Sequence, residues 1–449
     1  MKRRWRVLTA VVVVTLTAGT FAGLARASGR PGRPAPEDPV RVLRIYYQAP
    51  VLVRAGETVA MPVQVVCVTA RGRACAATVS LGVRAGDGDA WRFQTVDAGP
   101  RLSFDMSGPA KRAAFSSGDR SVAFFLQARA RGLVSSLPAS NAGPPLRFYV
   151  SSNIRTVTVP AVPFGHWRKG QTVLSLPWGS GPERAGLALG RESPTFGPSS
   201  FHVDLAGRVH LLDPLQDYLA EFRGHRLMKL QPVATEPGAD LAMTANGVAY
   251  VAHMVQGAVG VTRLGRSGRN LGTVSLGRGV LSQVRTAGQS AYAEVLPLDA
   301  WVRVPRRPGS GSKLAPIIGR PLPSGGRLLR VGTEHSVRLG IARAGTVRGA
   351  VELRSSQRFG EVALAEPDGS GGYVVVVRTW QWRPKPADQF QVVHISNGRM
   401  AQSFAVSSRS FVDTAPQSRF RLGDDGHLYQ LVSTSAGIRI VRFELKGDA

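Results

Sequence analysis

The residues with the capacity for chemistry are scattered along this chain. Histidines stand singly at His166, His202, His210, His225, His253, His335, His394 and His427, and Cys67 and Cys75 are the only cysteines. A metal centre needs three or four such donors, or carboxylates, converging on one point. Six segments read as innermost strands of a repeated architecture and begin at Ser199, Ala239, Leu281, Ser336, Glu361 and Arg419. Near those starts only Asp240 and Glu361 are acidic, while Arg338, Arg419 and Arg421 would repel a cation. No metal and no other cofactor is expected. There is no G-x-S-x-G elbow for a serine nucleophile. The glycines of Gly309–Gly326 and Gly369–Gly372 lack the strand–loop–helix setting of a phosphate loop. No catalytic residue is assigned.

Asp204, Asp368, Asp424 and Asp425 each stand just before a glycine, where an Asx side chain bonds local backbone and tolerates the turn. They read as turn residues, and Asp213, ahead of Pro214, reads as a residue that bonds the turn following it. Cys67 and Cys75 flank the loop Thr69–Ala74 between two strand-like runs. The spacing matches no zinc or redox signature, so a disulfide pinning a hairpin is expected, worth about 2 kcal/mol for so short a loop.

The elements that must position these residues repeat. The stretch from Pro198 to Phe222 reads strand, turn at Gly207, strand, turn at Pro214, strand. Looser copies centre on Gly247, Gly288, Gly369 and Gly426. The steps between successive glycines are 40, 41, 81 and 57 residues. A β-pattern with a period of about 40 residues is the mark of a propeller blade. The double step holds a degenerate blade over Arg327–Val331, Ser336–Ala342 and Gly349–Leu353. The long step holds a hydrophilic hairpin tip over Gln381–Asp388. Six blades are counted over residues 179–449.

The first copy resembles an NHL-type repeat. Pro198, Val203, Asp204, Gly207, Val209, Asp213 and Phe222 fall on that pattern, although Asp217-Tyr218 stands where the usual arginine precedes the last hydrophobic pair. The resemblance implies a propeller fold for residues 179–449 and a structural role for Asp213. Upstream, residues 42–152 hold about seven short strands, which suits an immunoglobulin-like sandwich. Their order of proline, an Ala-Gly-Glu turn and a strand ending in Cys67 resembles bacterial immunoglobulin-like modules. Trp91 does not lie between the cysteines, so the antibody arrangement is excluded. Residues 153–178 form a connector with strand character, able to supply the outer strand that closes the last blade.

The chain opens with Lys2, Arg3, Arg4 and Arg6, runs apolar from Val7 to Leu24 and reaches Ala25-Arg26-Ala27, the form of a secretory signal peptide over residues 1–27. An uncleaved anchor is the alternative reading; Gly19, Gly23 and four threonines weaken it. The proline-rich linker 28–41 follows. No later stretch is apolar enough to span a membrane, so export and a secreted or envelope-associated protein are expected.

The formal charge is +28, and removing the five basic residues of the leader leaves +23. Such a charge favours polyanions at a cell surface. It is also how an arginine-rich, lysine-poor coding bias writes a protein. No aromatic-interleaved basic stripe and no groove-reading helix is apparent, so no specific nucleic-acid partner is expected.

Together these features predict an all-β protein, an immunoglobulin-like sandwich followed by a six-bladed propeller. It would bind an unknown protein or an anionic cell-surface polymer through the propeller face, with Arg338, Arg419 and Arg421 contributing. A lyase- or lactonase-type enzyme and a purely structural envelope protein are the alternatives.

Overall fold

The computed structural model describes residues 38–47, 50–85, 88–98, 102–115, 121–138, 145–189, 194–296, 300–306 and 316–445. The leader and most of the linker lie outside them. The elements below belong to the unit Val40–Ala449. Among the described residues it is all-β apart from one nine-residue helix, Ser107–Phe115. No helix among the described residues is long and apolar enough to cross a membrane.

The first part holds two sheets. Three strands, Val40–Tyr47, Ala60–Thr69 and Leu102–Asp105, form one. The other runs Leu52–Arg54, Leu146–Ser151, Ser121–Ala130, Thr78–Arg84 and Arg92–Asp97, with Leu133–Leu137 added on Ser121–Ala130. Alternate side chains of both sheets meet in one core: Leu43, Met61, Val63 and Phe104 from the first, Leu81, Phe124, Leu126 and Phe148 from the second. The period of two along each strand sends the intervening residues outward.

Cys67 and Cys75 form the disulfide. The strands on either side of it, Ala60–Thr69 and Thr78–Arg84, belong to different sheets. The expected hairpin is present but short: Val68 pairs antiparallel with Ala74 and Cys75 N donates to Cys67 O at 3.1 Å, after which the chain crosses to the other sheet, so the bridge fastens a hairpin at that corner.

Six more sheets follow. Sheet I is Ser200–Val203, Val209–Asp213, Tyr218–Arg223 and Arg226–Pro232; sheet II is Asp240–Met243, Ala249–Val255, Ala258–Leu264 and Asn270–Arg278; sheet III is Val280–Ala287, Ser290–Leu296 and Ala300–Arg303. Sheet IV is Arg320–Pro321, Arg327–Gly332, Ser336–Arg343 and Thr346–Arg354; sheet V is Arg358–Pro367, Tyr373–Gln381, Ala387–Ser396 and Arg399–Val406; sheet VI is Phe420–Leu422, Leu428–Thr434 and Gly437–Phe443. Two earlier segments complete outer edges. Arg155–Thr158 pairs in parallel with Thr346–Arg354 of sheet IV, and Gln171–Pro177 pairs antiparallel with Gly437–Phe443 of sheet VI.

The sheets touch in order. Inner strands join I to II, II to III, V to VI and VI back to I; III meets IV through Ala300–Arg303, and IV meets V through Arg327–Gly332. Most sheets are thus clasped between two neighbours, their middle strands buried on both faces, while sheet IV packs one face on sheet V and the other on the two-sheet part. Leu211 packs toward sheet VI while the adjacent Leu212 packs toward sheet II. In Tyr373–Gln381, Val375 and Val377 face sheet IV, and Val374 and Val376 face sheet VI. This is why that strand reads as an unbroken run of valines. The outer strand Arg226–Pro232 keeps the alternation of a half-exposed edge. The III–IV seam differs: it holds a small cavity of about 80 Å³ between Gln283, Glu294, Trp301, Ile318 and Leu328.

The two-sheet part is seated on sheet IV. Leu52, Tyr149 and Ile154 pack on Leu329, Ala342 and Ala350. Around this apolar seat Glu352 receives Arg338 Nε, Arg54 Nη2 and Arg354 Nη2, each at 2.9 Å, and Arg338 Nη1 reaches Glu57 at 2.6 Å.

Candidate functional site

Every one of the six sheets sends a polar residue from its first strand to the centre of the ring: Ser200, Asp240, Arg285, Arg320, Glu366 and Arg421. Asp240 is the hub and is 0 % exposed. Its Oδ1 accepts from Ser200 Oγ at 2.7 Å, Ser418 Oγ at 2.7 Å and Arg421 Nη2 at 2.8 Å. Its Oδ2 accepts from Val284 N at 2.8 Å and Arg285 Nη1 at 3.1 Å. The chain of charges continues from Arg285 Nε to Glu366 Oε1 at 3.6 Å, and Glu366 takes a two-pronged pair from Arg320, with Nη1 at 2.6 Å from Oε1. Charges alternate across the ring, so each carboxylate is held between guanidiniums.

Burial alone would raise the pKa of Asp240. Arg421 and Arg285, with the bonds from Val284 and Ser418, outweigh it and hold the carboxyl below its ordinary value. Glu366 follows the same logic, with Arg320 outweighing burial. Burial, aided by Arg421, pushes Arg285 down to about 10 against the pull of Asp240 and Glu366, so it stays charged at neutral pH.

A pH dependence follows. The ordinary values are 3.8 for Asp240 and 4.5 for Glu366, and both are lower in the folded ring. As pH falls through that range the unfolded chain takes up protons first. The stability these carboxylates supply is therefore complete above about pH 5 and is lost below it. Urea midpoints measured from pH 7 down to pH 3 are expected to stay level and then drop.

Two cavities flank this centre. The one on the side of the Gly207, Gly369 and Gly426 turns has a volume of about 540 Å³ and is lined by His202, Arg285, Arg320, Glu366, Arg421 and Asp424 among others. The opposite one, about 590 Å³, is lined by Ser282, Gln283, Arg285, Arg330, Glu361 and Gln417 among others. At the first rim His202 Nε2 lies 3.3 Å from Asp424 Oδ2, joining sheet I to the turn of sheet VI. The Nε atoms of Arg285, Arg320 and Arg421 are buried with no hydrogen-bond acceptor.

The three arginines picked out in the sequence are not brought together. Arg421 reaches the centre and is committed to Asp240. Arg419 turns toward sheet V, where it donates to Ser408 O at 3.1 Å and covers the ring of Phe390 at 5.3 Å. Arg338 is on the third strand of sheet IV and is tied to Glu352 and Glu57 at the seat of the two-sheet part. The reading of Ser336 as an inner-strand start is corrected: that role belongs to Arg320–Pro321, a two-residue strand with no strand signature of its own. Arg320, Arg285 and Glu366 were not singled out either. Glu361, which was, lies on the opposite side, because two register shifts between Phe359 and Leu364 reset which side chains face inward.

The aspartates at the turns divide. Asp204 accepts from Ala206 N and Arg208 N, Asp368 from Ser370 N and Gly372 N, and Asp425 from His427 N. Asp424 instead crosses to His202. Asp213 accepts from Leu215 N at 3.1 Å and from Gly186 N at 2.7 Å, which ties its turn to the segment entering sheet I. Among the described residues no group of three or more His, Cys, Asp or Glu is placed to hold a metal ion.

The sequence matches no protein-family model, and no curated protein matches it. Among solved structures, a streptogramin B lyase is 10 % identical, with 58 % of this chain and 98 % of that chain covered at a TM-score of 0.34. A catalytically inactive virginiamycin B lyase from Staphylococcus aureus, solved with quinupristin, is 8 % identical over 58 % of this chain and 99 % of that one, with a TM-score of 0.34. A protein of unknown function from Bacteroides caccae is 14 % identical over 48 % of this chain and 83 % of that one, also at 0.34.

Proposed function

We propose that the chain is an exported binding protein, a six-bladed propeller of NHL type carrying an immunoglobulin-like sandwich, and that the cavity on the turn side of the ring takes an anionic ligand. The closed circuit of six sheets supports the propeller reading, as does the edge strand Gln171–Pro177, which completes the last sheet from upstream. The two sheets sharing one core support the sandwich. The apolar stretch after the basic N-terminus supports export.

One observation carries the ligand class. Arg285, Arg320 and Arg421 line a single cavity from three different sheets, and among the described residues two buried carboxylates, Asp240 and Glu366, balance them. A third acid, Asp424, stands at the exposed rim beside His202. Preorganised guanidiniums in a partly desolvated pocket recognise carboxylate or phosphate oxygens.

Isothermal titration with citrate and with inorganic phosphate tests this. The expected result is saturable binding that weakens by about tenfold as ionic strength is raised to about 1 M, and that tightens in Asp424→Asn. Absence of saturable heat from both probes overturns it. An enzyme of lyase or lactonase type is the second reading. It is favoured by His202, the one histidine lining this cavity among the described residues, with Asp424 in place to orient it. Calcium or zinc retained by the purified protein would shift the weight to that reading.

A further inference from the structure

The hairpin joining Tyr373–Gln381 to Ala387–Ser396 in sheet V carries Trp382, Arg383, Pro384, Lys385 and Pro386 at its tip, all five exposed. Trp382 is 51 % exposed, and the edge of one ring meets the other where it packs on Trp380, centroids 5.5 Å apart. The guanidinium of Arg358 lies over Trp380 at 5.0 Å. Arg378, at the base, is paired with Asp388. Arg383 and Lys385 have no carboxylate partner among the described residues. The run from Arg378 to Lys385 therefore interleaves two tryptophans with three basic residues. This corrects the expectation that no such stripe exists.

We propose that this tip docks on an anionic lipid bilayer. The form of the tip selects that occupant. It is a single convex turn, and none of the cavities described above includes one of its residues. A polymer chain would need a groove or a flat stacking platform. The neighbouring indole, Trp380, already has Arg358 over its ring and Trp382 packed against it. A convex tip with one outward indole beside prolines suits partial insertion at a water–lipid boundary, where tryptophan places its apolar body in the interface and its N–H in water. Unpaired Arg383 and Lys385 beside it complement phosphate headgroups, each worth about fivefold in partitioning to an anionic surface. The charge of +28 over the whole chain adds attraction of the same sign. This does not rest on the cavity reading, and the two stand or fall separately.

The test uses the full chain, so that any contribution of the N-terminal apolar stretch is common to wild type and variants. Vesicles of phosphatidylglycerol with phosphatidylcholine are compared with phosphatidylcholine alone, by flotation and by quenching of tryptophan fluorescence with brominated lipid. Wild type is expected to partition at least about tenfold better to the anionic vesicles and to be quenched there. Trp382→Phe should lower the quenching relative to wild type, since Trp5 beside the N-terminal apolar stretch contributes equally to both. Arg383→Glu with Lys385→Glu should lose the preference for anionic lipid, with thermal unfolding unchanged because the tip is exposed. Equal partitioning of wild type and the double variant overturns the proposal. So does quenching in Trp382→Phe equal to that of wild type, Trp5 beside the N-terminal apolar stretch being common to both, or a loss of affinity in the double variant that appears with soluble heparin and not with vesicles.

Discussion

Replacing Asp240 by asparagine is expected to destabilise the fold by about 3–5 kcal/mol, the usual consequence of leaving buried cations without their partner. Arg421 and Arg285 both lean on this carboxylate, and their side chains are only 7 % and 12 % exposed. The amide keeps the shape of the side chain but brings an N–H₂ among groups that all donate. Ser200, Ser418 and the Val284 amide lose acceptor capacity at the same time. Urea unfolding is the measurement, read as a lower midpoint at unchanged slope. Two comparisons separate charge from geometry. Ser200→Ala removes one neutral donor to Asp240, and with it an acceptor for Leu241 N and Arg421 Nη2, and should cost only about 1–2 kcal/mol. Asp240→Asn combined with Arg421→Met should recover part of the loss, since removing both charges removes the unpaired one. If Asp240→Asn unfolds at the wild-type urea concentration, the ring centre is not held as described.

Glu352→Ala is expected to have the next largest effect, about 2–3 kcal/mol, together with a change in how the protein comes apart. Glu352 is 1 % exposed and gathers Arg54, Arg338 and Arg354 around the apolar seat formed by Leu52, Tyr149 and Leu329. Arg338 would keep Glu57, so the loss is smaller than at the ring centre. Arg54, about a third exposed, finds water readily and adds little. The seat joins the two-sheet part to sheet IV, so its loosening should appear as two separate unfolding transitions in calorimetry. Arg354→Ala, in which the side chain removed is mostly exposed, should change stability by no more than about 0.5 kcal/mol. A single transition at the wild-type temperature for Glu352→Ala would mean that the apolar contacts hold the seat unaided.

Much of the fold is legible in the residues. The turn glycines at Gly207, Gly247, Gly288, Gly369 and Gly426 all take positive φ, the conformation in which a Cβ is disfavoured, so their spacing reports turns. The valine run of Tyr373–Gln381 reports a strand covered on both faces. The cysteine pair reports a bridge, although its setting between two sheets is hidden because a nearby strand run looks the same whether it folds back or crosses over.

The candidate site is far less legible. Asp240 stands out as an acid among inner-strand starts, yet its partners Arg285 and Arg421 lie 45 and 181 residues away along the chain. Arg320 sits in a proline–glycine stretch that carries no strand signal. Glu366 is set facing inward by irregularities of pairing that leave no periodicity. Turns, alternation and repeat length come from interactions among neighbours in sequence, so the amino acids alone determined an all-β chain of repeated sheets. Which polar side chains meet at the centre depends on closing six sheets into a ring and on the register of each. Only the tertiary structure decided that, because a buried charge is tolerable only where its counter-charge arrives from another sheet.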